Sequence, residues 1–161
     1  MKKLLPLALL LTAPPALAQP APPPVKEYAS ATEVQAAIAK AKAAHKSGNT
    51  SELLVSAPGY PVQLEYRTTD TPPTIHPTEA ELIEVVSGGC TLVTGGTLVG
   101  IKPAAPGATT LSGSAIEGGS PRKVGKGDYI MVPANTPHWY RDVQGELIIV
   151  TLHMPAGRGA R

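Results

Sequence analysis

The sequence predicts an all-β fold: a small antiparallel β-barrel or jelly roll preceded by one N-terminal α-helix. Three observations carry that prediction. From about Thr50 to Pro155, short apolar runs alternate with Gly- and Pro-containing turns. Before them, one Ala-rich stretch has helical spacing. Pro (18) and Gly (16) are too abundant, in a chain of 161 residues, for a mainly helical protein. The length suits one ordinary domain.

In chain order, residues 1–18 read as a cleaved export signal. Met1-Lys2-Lys3 is a short basic start, Leu4 to Leu17 is apolar and uncharged, and Ala16-Leu17-Ala18 fits the small-x-small cleavage rule. The apolar run is too short for the roughly 30 Å membrane core and is broken by Pro6, Pro14 and Pro15. A periplasmic or secreted protein is therefore expected, with no later segment apolar enough to anchor it. Removing the leader takes away Lys2 and Lys3. The formal charge of +2 (14 basic, 12 acidic residues) then falls to zero, which gives no general electrostatic case for a nucleic acid partner. Residues 19–29, opening with QPAPPP, read as an extended tether.

Residues 30–48 read as a helix with its stop. Ser30 and Glu33 form a capping-box pattern, Val34, Ile38 and Ala41 share a face, and Gly48 ends it. His45, at the end of that face, is expected to be solvated. The helix should pack on the domain or on a second subunit. Residues 50–156 form the barrel, with strands expected at Val62–Arg67, Glu81–Ser87, Cys90–Thr94, Thr97–Ile101, Tyr129–Val132, His138–Arg141 and Leu147–Met154. Residues 157–161 are expected to be a flexible tail. The single cysteine, Cys90, rules out an internal disulfide and multi-cysteine metal sites, and reads as a small buried residue. Gly95-Gly96 and Gly118-Gly119 sit in no strand-to-helix context, so they read as turns rather than phosphate loops.

Two segments carry the chemistry: Thr74-Ile75-His76-Pro77-Thr78-Glu79-Ala80-Glu81, running on to Gly88, and Gly127 to Asp142 with the core PANTPHW. Strand alternation places Glu81, Ile83 and Val85 on one face, and His138 with Tyr140 on one face while Trp139 points away. Two neutral imidazoles and a carboxylate can bind a divalent transition metal and leave positions open for water or substrate.

These segments resemble the two motifs of the cupin family, G-x5-H-x-H-x3,4-E-x6-G and G-x5-P-x-G-x2-H-x3-N. Glu81 and Gly88 enclose six residues, and four separate His76 from Glu81; Gly127, Pro133 and His138 match in order and spacing. The resemblance spans about Val62 to Pro155. It makes His76 the second histidine of the first motif, whereas taking His76 as the first would place Glu84 too close to the glycines. The departures are Thr74 for the first histidine, Thr68 for the opening glycine, Asn135 for a glycine and Asp142 for the closing asparagine. Asn135 can supply the same left-handed turn.

The resemblance implies a barrel with a metal site reduced to His76, Glu81 and His138, suited to Fe, Mn, Zn or Ni. The competing reading is a metal-free polar cluster satisfied by its own hydrogen bonds. Around it, His153 is a candidate acid–base group or replacement ligand, against a satisfied strand-end histidine. Tyr140 is a candidate acid–base or substrate-binding group, against a core tyrosine. Arg67 and Thr74 complete the candidate substrate-binding set, with a surface position the plainer reading of Arg67. The implied function is a metal-dependent enzyme acting on a small organic acid or phenolic compound, of oxygenase, decarboxylase, isomerase or lyase type. The alternatives are a non-catalytic periplasmic small-ligand binder and a structural subunit. Related proteins often pair through edge strands, so a homodimer is also an expectation.

Overall fold

The computed structural model describes residues 25–102 and 108–156. The leader, the QPAPPP segment and the tail therefore lie outside the described residues. Helix α1 spans Ala31–Ala44, and its capping box forms as expected: the Ser30 side chain accepts from the Glu33 amide while the Glu33 carboxylate accepts from the Ser30 amide. The helix ends four residues before Gly48. His45 turns extended and is half-buried, its ring nitrogens 2.9 Å from Thr50 Oγ1 and 3.0 Å from Thr68 Oγ1. These two partners, on β1 and just after β2, correct the expectation of a solvated histidine.

Strands follow at β1 (Thr50–Ala57), β2 (Tyr60–Arg67), β3 (Thr74–Ile75), β4 (Glu79–Thr94) and β5 (Thr97–Val99). Then come β6 (Leu111–Ser112), β7 (Ala115–Glu117), β8 (Ser120–Gly125), β9 (Tyr129–Val132), β10 (His138–Arg141) and β11 (Leu147–Pro155). Among the described residues, nine strands form one curled antiparallel sheet in the order β1-β2-β11-β4-β10-β3-β6, with β8 and β9 also pairing β4; β5 and β7 form a separate ribbon.

Strand β4 joins the two halves of this sheet. The sequence suggests two strands, Glu81–Ser87 and Cys90–Thr94, separated by a turn. Instead the chain passes straight through Gly88 and Gly89, pairing first with β11 and β9, then with β8 and β10. Gly88 has φ +77°, and a Cβ there would lie 1.8 Å from the Glu146 carbonyl oxygen, so only glycine lets the strand cross at this point. The strand expected at Thr97–Ile101 stops at Val99 and leaves Ile101 exposed.

The two faces of the curled sheet have different jobs. On β2, Val62, Leu64 and Tyr66 alternate with Gln63, Glu65 and Arg67. The apolar set faces outward, where Leu64, Tyr66, Leu54 and Ile148 pack against Ala41, with Val34 and Ile38 beside them. The helix therefore covers its own domain's outer face. Burying one such large side chain contributes about 1.5–3 kcal/mol. Inside, Ile83, Val85, Leu92, Val124, Leu147 and Ile149 close the lower barrel. Above them the polar set of β2 lines an open cavity.

Candidate metal centre

The cavity measures about 390 Å³ and is walled by β2, β4, β10 and β11. Four candidate metal-binding side chains meet in it. Glu81 comes from β4, which pairs Glu81 with His153 of β11 across the sheet. His76 follows β3, and His138 opens β10 opposite Thr74. The turn before β10 depends on Asn135 at φ +58°, the left-handed conformation expected in place of the family glycine.

Glu81 Oε2 lies 3.1 Å from His138 Nε2 and 3.7 Å from His76 Nε2, while His153 Nε2 lies 3.9 Å from Glu81 Oε1. One ligand atom from each of His76, Glu81 and His153 falls within 4.8 Å of the others. The rings of His76 and His153 meet edge-on at 4.4 Å, and those of His76 and His138 stack at 5.2 Å. The tightest group therefore includes His153, and His138 flanks it through Glu81.

Hydrogen bonds set the orientation of the imidazoles. His138 Nδ1 donates to the Thr136 carbonyl at 3.4 Å, which leaves a lone pair on Nε2, 3.0 Å from the Thr74 hydroxyl. His76 Nδ1 pairs with Thr110 Oγ1 at 3.0 Å, and its Nε2 faces Glu81. Such partners fix the tautomer of a metal-binding histidine. Burial pushes His76 and His138 down to about 4, helped at His76 by the neighbouring imidazoles, so both are neutral near pH 7. Burial pushes Glu81 up to about 8; Glu65 adds to this and Arg67 opposes it.

Glu81 Oε2 is buried and has no hydrogen-bond partner. Unpartnered, it faces the lone-pair side of His138. Atoms that share one ion at about 2.1 Å sit roughly 3–4 Å apart, and the separations here fall in that range. The donor set, imidazole nitrogen with one carboxylate, suits Fe, Mn, Zn or Ni. The residues fit such an ion.

Arg67 is 6% exposed rather than on the surface. It pairs with Glu65, and its guanidinium lies 4.4 Å over the Tyr140 ring. The Tyr140 hydroxyl is buried and without a hydrogen-bond partner, as are Arg67 Nε and Nη1. Burial holds the Tyr140 phenol well above its ordinary value, so it remains a donor. Glu65, which accepts from Thr151 Oγ1 at 3.3 Å, and Thr110 are site residues that the motifs do not contain. Glu65 has a sequence signal nonetheless: three polar residues at period two in an otherwise apolar strand. Trp139 points away as expected and donates to the Thr71 carbonyl at 2.6 Å.

With both motif segments at the open end of a curled antiparallel sheet, the architecture is clear. It is a curled antiparallel half-barrel, consistent with the cupin resemblance of the motifs. No protein-family model and no curated protein sequence matches this chain. Among solved structures it is similar to the Fe(II) form of HppE, at 14% identity and a TM-score of 0.48, over 66% of this chain and 50% of that one. It thus spans half the length of HppE. It is similar too to KdgF from Halomonas sp., at 15% identity and a TM-score of 0.49, over 70% of this chain and 84% of that one. A candidate mannose-6-phosphate isomerase from Ralstonia eutropha JMP134 gives 20% identity and a TM-score of 0.48, over 71% and 94%.

Proposed function

We propose that this chain is an exported cupin that binds one divalent transition metal through His76, Glu81 and His138, joined by His153, and acts on a small organic acid or phenolic compound. The observation that carries the reading is Glu81 Oε2, buried without a hydrogen-bond partner and 3.1 and 3.7 Å from two imidazole nitrogens. When bound, the ion would supply Lewis-acid polarisation of a substrate oxygen. The chain's own groups do the rest. Arg67 presents a fixed positive charge beside the ion site, and Tyr140 a hydroxyl that stays protonated. His153, half-buried and with Nε2 3.9 Å from Glu81 Oε1, completes the ligand group.

The test is metal analysis of untagged protein beside His76→Ala and His138→Ala. About one equivalent in the wild type, with loss in both variants, is the expected result. Wild-type protein that takes up no metal and keeps its melting temperature on metal addition would sink the reading. A non-catalytic binding protein is favoured by a separate observation: Thr74 replaces a histidine and its hydroxyl engages His138 Nε2. Product formation by the loaded protein, abolished in Glu81→Gln, decides for the enzyme; saturable binding without product decides for the binder.

A further inference from the structure

The walls of the cavity are unusual for a site that would hold an aromatic molecule. Small-molecule sites of about 300–1,000 Å³ are lined mainly by apolar and aromatic side chains, with a few polar groups that fix orientation. Here polar surface is as extensive as apolar surface. Apart from the three imidazoles, Tyr140 and Pro72 are the larger apolar side chains among the described residues that line the cavity. The rim and walls outside the ion site are hydroxyls and amides: Asn49, Ser51, Gln63, Thr71, Thr110 and Ser112. Gln63, on the inward face of β2, and Ser112 line the cavity and have no side-chain hydrogen bond among those described. An apolar ligand would strip water from these groups and give nothing back.

The charge balance adds a second constraint. A divalent ion and Arg67 together bring three positive charges, and Glu65 with Glu81 bring two negative ones. The loaded cavity therefore keeps one positive charge, shielded from solvent at its base by burial of Arg67 and Glu81. A ligand with a single negative charge neutralises it.

We propose that the cavity takes a hydroxyl-rich monocarboxylate of the sugar-acid class, with its carboxylate at the ion and Arg67 end and its hydroxyls against Gln63, Ser112 and the threonines. The proposal rests on the metal-site reading for its positive charge, and on the wall chemistry alone for its preference for hydroxyls.

Four six-membered-ring probes separate the terms: glucuronate, methyl glucoside (hydroxyls without charge), cyclohexanecarboxylate (charge without hydroxyls) and 4-hydroxybenzoate (the phenolic class). Binding is measured by calorimetry on zinc-loaded protein of measured metal content. Glucuronate is expected to bind at least tenfold more tightly than each of the other three. Gln63→Leu and Ser112→Val are each expected to weaken glucuronate about fivefold, with zinc content unchanged. Equal or tighter binding of 4-hydroxybenzoate or cyclohexanecarboxylate overturns the proposal, as does a zinc-loaded protein that binds none of the four. If the protein takes up no zinc, the metal reading itself has failed. The ranking of glucuronate against 4-hydroxybenzoate on that metal-free protein then decides the hydroxyl preference separately.

Discussion

At the scale of single residues, Glu81 sets the proton balance of the site. Its carboxyl is pushed up to about 8, while His76 and His138 are pushed down to about 4. Between pH 5 and 7 the metal-free site therefore holds a neutral acid and two neutral imidazoles. The imidazoles can bind a cation at once, but Glu81 must first lose its proton. Metal uptake should release about one proton at pH 7. Apparent affinity should rise about tenfold per pH unit from pH 6 and level off above pH 8. Calorimetric titration in buffers of different ionisation enthalpy counts the proton directly. A flat affinity over that range would place Glu81 outside the metal's ligands. Cys90 is a contrast. Burial pushes its thiol up to about 11, which keeps it unreactive and agrees with its reading as a small core residue.

At the scale of elements, β4 is the piece on which the site depends, because it carries Glu81 and links both halves of the sheet. Gly88 should be irreplaceable. Gly88→Ala forces a Cβ to within 1.8 Å of the Glu146 carbonyl oxygen at φ +77°. Gly59→Ala at φ +82° meets nothing within 4 Å and isolates the backbone term, about 1–2 kcal/mol. Guanidinium denaturation should show Gly88→Ala costing at least about 3 kcal/mol, clearly more than the control; equal losses would mean that the crossing adapts. This element also shows what the sequence could and could not reveal. Val62–Arg67, Tyr129–Val132 and His138–Arg141 are legible because alternation and turn residues mark them locally. The unbroken β4 is not, since a Gly-Gly pair reads as a turn until β11 and β8 are seen pairing across it. β3, β6 and β8 are held by partners far along the chain and lack apolar runs of their own. The same reason governs the site. Motif spacing reveals His76, Glu81 and His138, whereas His153 joins them only through the pairing of β11 with β4. Thr110 arrives from a distant loop, and Arg67 is buried by the curl of the sheet.

At the scale of the whole molecule, the site and the stability of the fold pull against each other. Glu81 has its proton affinity raised on folding, so its contribution to stability is fully present below its unfolded value of 4.5 and is lost as pH rises through about 8. His76 and His138 are depressed, so theirs is present above 6.5 and lost as pH falls through about 4. Between pH 6.5 and 8 only the Glu81 term changes. Metal-free protein should therefore lose about 1.5 kcal/mol across that window. Glu81→Gln cannot ionise and should lose none of it. A bound ion removes the cost of ionising Glu81 and adds about 2.7 kcal/mol at one hundred times its dissociation constant. Stability of the loaded protein should hold or rise from pH 6.5 to 8 while that of the metal-free protein falls. Urea melts at pH 6.5, 7.2 and 8.0 on metal-free, metal-loaded and Glu81→Gln protein test this. Parallel curves for all three would mean that Glu81 is not held neutral by the fold, and would remove the electrostatic reason for an ion at this site. Diverging curves would show that the buried carboxylate that destabilises the empty site is what binds its metal.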